Sequence, residues 1–402
     1  MTEALSSAAA LEAARGLAAG FARNAAARDR EGGTPKAERD AIRKSGLLNF
    51  TVAKDLGGSG GSWLEALAIV REIARADSSL AHVFSFHYYQ LATIRLFGSR
   101  EQWSKLHRES VEEGWFIGNA LNPLNTDVLA RRRVDGAYEW SGVKNFASGA
   151  RDSDLILVSA REDAVVGAGL KPAPTPLVAA IPTRREGIDV RDDWDNIGQR
   201  QTDSGSVAFD RVVVYEEEIL LNPGPLSSPF ASLRGLIGQL VFANLFLSIA
   251  EGAFGAALAY LRGKETQPWF ESPARTAQTD PFILRHFGEL WVKLEAARAL
   301  TEKANVRLDP LWAKAEALSA GERGAFAIAV ATAKVATTQI GLEVANRIFE
   351  PLGARATASA LGLDRFWRNL RTQTLHDPVD YKIYELGNWI VNGSLPEPTF
   401  YT

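Results

Sequence analysis

The chain has 402 residues, with 45 basic and 48 acidic side chains and a formal net charge of −3. Such a balance lacks the basic footprint that nucleic-acid binding requires. The absence of cysteine excludes disulfides, thiolate nucleophiles, iron–sulfur clusters and cysteine-built zinc sites.

Length and an ordinary share of apolar residues, 46%, point to two or three compact units in a globular protein. The first block, 1–114, reads as helical. Ala, Leu, Arg and Glu dominate 4–31. Pro35 opens a helix behind Thr34 as N-cap. A further helix starts after Ser62 and runs to about Ala76, and another passes through His82–Phe97 beyond the Asp77-Ser78-Ser79 break. No secretory signal is visible at the start, so a cytoplasmic location is expected.

In the second block, 115–220, the period changes. Leu155–Val158 and Leu177–Ile181 are short apolar runs bounded by turn residues, and Val207–Phe209 and Val212–Tyr215 add more strand. Asp135-Gly136 marks a hairpin between Arg133-Val134 and Tyr138-Glu139-Trp140. The stretch Lys171–Pro176, with three prolines, reads as a loop insertion. The third block, 221–402, is helical again. Two long stretches, Leu236–Leu261 and Pro281–Arg307, suggest a bundle. Leu236–Ala250 is the most apolar run, but Gln239, Asn244 and Ser248 interrupt it, which favours a buried core helix over a membrane span. Helices, then strands, then helices give an α+β order rather than the alternation of a doubly wound fold.

Gly57–Gly61 matches G-x-S-x-G around Ser59, but the helical surroundings favour a plain turn over a nucleophile elbow. There is neither a P-loop nor a G-x-G-x-x-G fingerprint, and none of the five histidines stands in HExxH spacing, so no metal site is expected. His87, in the aromatic run Phe84–Tyr89, is either a core histidine bonded to backbone or a polar group in an aromatic pocket wall. The polar stretch Trp194–Ser206 is a long loop between strands, of the kind that often carries function. His376 is the best single proton donor or acceptor near neutral pH.

Four motifs in order resemble the flavin-dependent monooxygenases of the acyl-CoA dehydrogenase fold, typified by dibenzothiophene monooxygenase. They are Gly118–Ala120, Ser141–Gly149, Gly198–Ser206 and Arg371–Pro378, and the resemblance covers nearly the whole chain. It implies an N-terminal helical domain, a central β-barrel or sandwich and a C-terminal four-helix bundle, assembled as a homotetramer. It implies reduced FMN, supplied by a separate NAD(P)H-flavin reductase. With O₂ this forms a flavin C4a-hydroperoxide that oxygenates a small apolar aromatic or organosulfur substrate.

Carried over by residue, Asn119, Ala120, Phe146, Ala147, Ser148 and Trp194 would contact the flavin, with Ser148 near N5. Arg285 would reach the phosphate from a neighbouring subunit, with Arg355, in the segment Leu352-Gly353-Ala354-Arg355, near it. His376 would stand beside the peroxide and His87 would line the substrate pocket. The catalytic set so implied is His376, Ser148, His87 and Asn119. Gln373 departs from the pattern, because the family has a histidine there. The rival reading is an FAD-dependent acyl-CoA dehydrogenase or related flavin oxidase. That chemistry needs a carboxylate base, and the only carboxylate beside His376 is Asp377, which is followed by Pro378.

Overall fold

The computed structural model describes residues 4–163, 176–263 and 267–402. The N-terminal helices are α1 (Ser7–Ala22), α2 (Ala25–Glu31), α3 (Lys36–Lys44), α4 (Trp63–Ala76), α5 (Ser78–Phe97) and α6 (Arg100–Glu113). Local chemistry sets their ends. Ser62 and Glu65 form a reciprocal capping box at α4, and Ser99 with Gln102 does the same at α6. The Asp77 carboxylate accepts from the Ser79 and Leu80 N–H groups to open α5. Thr34 does not cap α3, as the sequence suggested. Pro35 holds the cap position, and the Thr34 hydroxyl donates instead to Asp203, 2.9 Å away in the strand block.

Seven strands follow: β1 (Ile117–Ala120), β2 (Leu129–Arg132), β3 (Tyr138–Lys144), β4 (Leu155–Glu162), β5 (Leu177–Pro182), β6 (Ile188–Val190) and β7 (Val207–Val214). They make one sheet in the order β1-β4-β2-β3-β7-β6, with β5 paired to β4. The β2–β3 hairpin turns at Asp135-Gly136, where Gly136 has φ +89°. The two strand segments expected at 207–209 and 212–215 are one strand. An extra residue in β7 opposite β3 shifts the register between Trp140 and Gly142, and Arg211 takes a positive φ there. The insertion expected at Lys171–Pro176 lies, up to residue 175, outside the described residues.

The C-terminal part comprises α7 (Leu233–Arg262), α8 (Pro281–Asn305), α9 (Leu308–Lys314), α10 (Ala320–Arg347), α11 (Asp364–Thr374) and α12 (Val379–Asn392). Helices α7, α8 and α10 pack on one another, and α11 and α12 lean on α10. Helices α7 and α10 are long and apolar enough to cross a membrane, but most of each such stretch is buried against the rest of the fold. One apolar core joins the two helical parts, and a second, around Trp140, Ile156 and Phe209, fills the inside of the sheet.

Arg39 of α3 fastens the first helices to the strand block. Its fully buried guanidinium donates to the carbonyls of Gly149 and Asp152 at 3.0 and 2.8 Å and pairs with Asp203 at 3.3 Å. Burial pushes it down to about 10, opposed by Asp152 and Asp203. The turn at Gly57–Gly61 is structural. A Cβ on Gly58 would fall 2.2 Å from the Val52 carbonyl, and the Ser59 hydroxyl accepts from the Leu5 N–H.

Candidate active site

A cavity of about 590 Å³ lies where α5, α7, the strand-block loops and the end of α11 converge. Helical spacing puts His82, Phe86 and Tyr89 of α5 on one face toward it, and Arg234, Gly238 and Phe242 of α7 on another. Two glycines permit this closeness. A Cβ on Gly238 would meet the Tyr89 hydroxyl at 2.8 Å, and one on Gly235 would meet the Thr399 carbonyl at 2.9 Å. The second approach brings Phe400 and Tyr401 into the cavity wall.

The strand-block side is flat, aromatic and polar-edged. Phe146 has φ +59° and is 59% exposed, and its ring meets Trp194 edge-on at 6.1 Å. Trp194 is held by an indole N–H bond to the Gln199 carbonyl at 2.8 Å. Gly198 allows that loop to lie on α11, since a Cβ there would sit 2.1 Å from the Arg368 carbonyl. The Asn119 side-chain oxygen accepts from Gln90 and from the Leu121 N–H, which leaves its amide nitrogen for a ligand.

A hydrogen-bonded chain crosses the buried end of the cavity. The Gln373 amide nitrogen lies 2.9 Å from His82 Nδ1, His82 Nε2 lies 3.0 Å from Ser148 Oγ, and Ser148 Oγ lies 2.8 Å from Ser204 Oγ. Thr202 extends the chain at 2.7 Å. An amide nitrogen only donates, so Nδ1 accepts and the proton sits on Nε2, pointing at Ser148. His82 is neutral: burial, with a smaller push from His376, lowers it to about 3. Its ring stacks on Phe86 at 4.2 Å. The Gln373 carbonyl oxygen and Arg371 Nε are buried without a protein partner, as expected of a site that binds a polar ligand.

His376 stands at the other side. Its ring packs 4.5 Å from Phe242, and Nδ1 lies 3.0 Å from Asp377. Burial alone would raise the Asp377 carboxyl. The Lys334 ammonium at 3.1 Å and the bond from His376 overcome this and hold it well below the usual carboxylate range. Lys334 is itself buried, bonded to Gln239 at 2.8 Å and placed over the Phe242 and Phe246 rings. Asp377 therefore fixes the imidazole through Nδ1–H.

Five of the site residues implied by the resemblance meet at this cavity, Asn119, Phe146, Ser148, Trp194 and His376, and Gln373 joins them. His87 does not. It is fully buried on the far side of α5, bonded through Nε2 to the Leu48 carbonyl at 2.9 Å and accepting the Ile117 N–H at 3.1 Å. Its place in the wall is taken by His82, five residues earlier on the same helix. Ala120 and Ala147 carry methyl groups that are packed inside the sheet core rather than in the cavity wall. Arg285 is exposed and paired with Glu289 at 2.7 Å, and Gly353 and Arg355 are exposed as well. They sit outside the cavity at one end of the bundle, where His286 of α8 meets Glu350 at 3.1 Å. Arg234 and Tyr401 line the cavity and were not singled out beforehand, because nothing near them in sequence forms a motif.

Family models for the acyl-CoA dehydrogenase N-terminal, middle and C-terminal domains match residues 7–112, 118–212 and 240–381. The chain is 54% identical over 393 residues to a probable FMNH₂-dependent monooxygenase, SfnC, of Pseudomonas putida, covering 98% of this chain and 97% of that one. The solved structure of the methanesulfinate monooxygenase MsuC of Pseudomonas fluorescens superposes with a TM-score of 0.94 at 54% identity, covering 98% and 99% of the two chains. The FMN-bound structure of TdsC, a dibenzothiophene monooxygenase of Paenibacillus sp. A11-2, gives a TM-score of 0.92 at 41% identity, covering 98% and 100%.

Proposed function

The chain belongs to the acyl-CoA dehydrogenase family and is an FMNH₂-dependent monooxygenase within it, and from that premise we propose that the cavity oxygenates a small organosulfur compound. The balance is S + O₂ + FMNH₂ → SO + FMN + H₂O, where S is the substrate. One oxygen atom goes to the substrate, and the other leaves as water with both hydrogens of the reduced flavin. Reduced FMN, when bound, supplies the two electrons that activate O₂, and a flavin reductase must deliver it.

The chain's own residues do the rest. Phe146 and Trp194 offer a flat aromatic flank. Asn119, Ser148, Thr202 and Ser204 line it with donors and acceptors suited to the polar edge of a ring. Ser148 accepts from His82, so its own hydroxyl proton is available to Ser204 or to a ligand. His376, held by Asp377, is placed to give a proton to the departing oxygen. Phe86, Tyr89, Phe242 and Tyr401 keep the interior apolar and limit water, which would divert the reaction to peroxide.

One observation carries oxygenation over dehydrogenation: among the described residues no carboxylate is placed to remove a proton from a substrate. Among the described residues the lining holds one carboxylate, Asp195, whose side chain is 94% exposed and pairs with Arg200. Asp377 is engaged by Lys334 and His376. Steady-state assays test this. Purified protein with an FMN reductase should consume O₂ and yield an oxidised organosulfur product. Reduction of an electron acceptor by acyl-CoA, with no oxygen transfer, would favour a dehydrogenase.

The exposed site at the end of the bundle supports a homotetramer. Arg285 and Arg355 cannot serve this chain's own cavity, but two guanidiniums there suit a neighbour's flavin phosphate. Phe282, Leu284 and Val292 leave α8 with an exposed apolar face of the kind that subunit contacts cover. Gln373 is a positioning residue in this scheme. Gln373→Leu should lower kcat about tenfold with FMN affinity unchanged, because the His82 proton is then no longer confined to Nε2. Gln373→Asn, which keeps an amide, should lose less. An unchanged kcat in Gln373→Leu would remove that role.

A further inference from the structure

Among the described residues three buried arginines are answered by acids; Arg323 is held instead by the Ser232 hydroxyl and backbone carbonyls away from the cavity, and Arg234 stands beside the cavity. Arg28 meets Asp77 at 2.7 Å, Arg39 meets Asp203 at 3.3 Å and Arg71 meets Glu251 at 3.3 Å. Arg234, in the first turn of α7, is 4% exposed and lines the cavity. Its hydrogen bond is to a neutral hydroxyl, Thr93 Oγ1 at 3.1 Å, and no carboxylate lies within ion-pair reach among the described residues. The guanidinium lies over the Tyr89 ring at 4.6 Å and near Phe97 at 5.9 Å. Ring faces offset only part of the cost of a desolvated charge. A cation in the first turn of a helix also adds to the positive end of the helix dipole instead of opposing it. This adds positive potential at the Tyr89 end of a cavity whose lining also carries Arg371. Tyr89, over which Arg234 lies, is seven residues from His82 along α5, roughly 10 Å at the rise of a helix. The charge therefore sits away from the Ser148 edge, toward Tyr401.

We propose that Arg234 is the anion-binding end of the substrate pocket and selects a small organosulfur monoanion, a sulfinate, over neutral aromatic sulfur compounds. The inference rests on the reading of this cavity as the oxygenation site. With an alkanesulfinate the balance is R–SO₂⁻ + O₂ + FMNH₂ → R–SO₃⁻ + FMN + H₂O. The sulfur lone pair forms the new S–O bond, the O–O bond breaks, and the second oxygen leaves as water. One sulfinate oxygen held on the planar guanidinium fork would turn the sulfur toward the flavin end.

The test is calorimetric titration of methanesulfinate into the full-length, FMN-loaded protein, with dimethyl sulfone as a neutral probe of similar size. The wild type should bind methanesulfinate in clear preference to the sulfone. Arg234→Met should weaken methanesulfinate binding about 10- to 100-fold, with FMN affinity unchanged. Arg234→Lys should keep part of the affinity and appear in turnover as a raised KM with kcat largely retained. Should Arg234→Met not fold, the lysine variant carries the same test. Equal methanesulfinate affinity in the variant and the wild type, or a wild type that prefers the sulfone, overturns the proposal. The binding arm needs no turnover, so loss of methanesulfinate binding in Arg234→Met supports the site even in a protein that oxygenates nothing. Conversely, equal oxygenation of dibenzothiophene by wild type and Arg234→Met, without methanesulfinate binding, overturns the role of Arg234 and leaves the monooxygenase standing.

Discussion

Replacing His376 with alanine is expected to lower the rate of substrate oxygenation about 10²- to 10⁴-fold, the usual worth of a positioned general acid. Hydrogen peroxide released per reduced FMN consumed should rise at the same time. FMN affinity should stay close to that of the wild type, because the flat flank at Phe146 and Trp194 and the Ser148 chain lie on other elements. The imidazole is not loosely placed. Asp377 holds Nδ1, Lys334 holds Asp377, and Phe242 packs against the ring. Removal leaves an ionised Asp377 still paired with Lys334, so the fold should tolerate the change. Paired measurements of product and peroxide read the effect. Loss of FMN affinity with normal coupling would move His376 from proton delivery to cofactor binding.

The second large effect is loss of stability between pH 7 and pH 5. Burial lowers His82 and His87 to about 3 and His107 to about 4. In the unfolded chain each takes up its proton near 6.5. The unfolded state therefore binds more protons than the native one throughout this window, and stability falls as pH falls. The contribution is complete above about 6.5 and declines progressively toward the folded values. At pH 5 each histidine removes up to about 2 kcal/mol. Three together are comparable with the whole stability of a domain, about 5–15 kcal/mol. The buried Asp377 does not explain a loss in this range, since its pairing with Lys334 and His376 keeps it charged until well below pH 5. Urea midpoints at pH 7 and pH 5 measure the slope. His107→Gln, which keeps a donor for the Leu91 carbonyl, should remove about a third of it. A midpoint independent of pH over this range would mean that the histidines are solvated.

The elements that could be read from sequence are those whose signals are local. Ser62 with Glu65, Asp77, and Asp135-Gly136 each set a boundary by chemistry within three or four residues, and the structure has those boundaries. The β7 segments were legible as strand but not as one strand, because the bulge at Arg211 depends on the β3 partner. Choosing between His82 and His87 was out of reach for a different reason. Helix α5 is buried almost all round, so apolar periodicity names no cavity face. The two histidines differ only in what is packed on them: Leu48 and Ile117 backbone for one, Ser148 and Gln373 for the other. Arg234 carried no signal either. Its meaning comes from the carboxylate it lacks, which is a property of the folded surroundings.

The most direct measurement of the central claim is the fate of isotopic oxygen. Supplied with chemically reduced FMN, ¹⁸O₂ and an organosulfur substrate, the protein should return product carrying one ¹⁸O atom per turnover, with the other in water. Product without ¹⁸O, or oxidation of an acyl thioester with no oxygen consumed, would contradict the account.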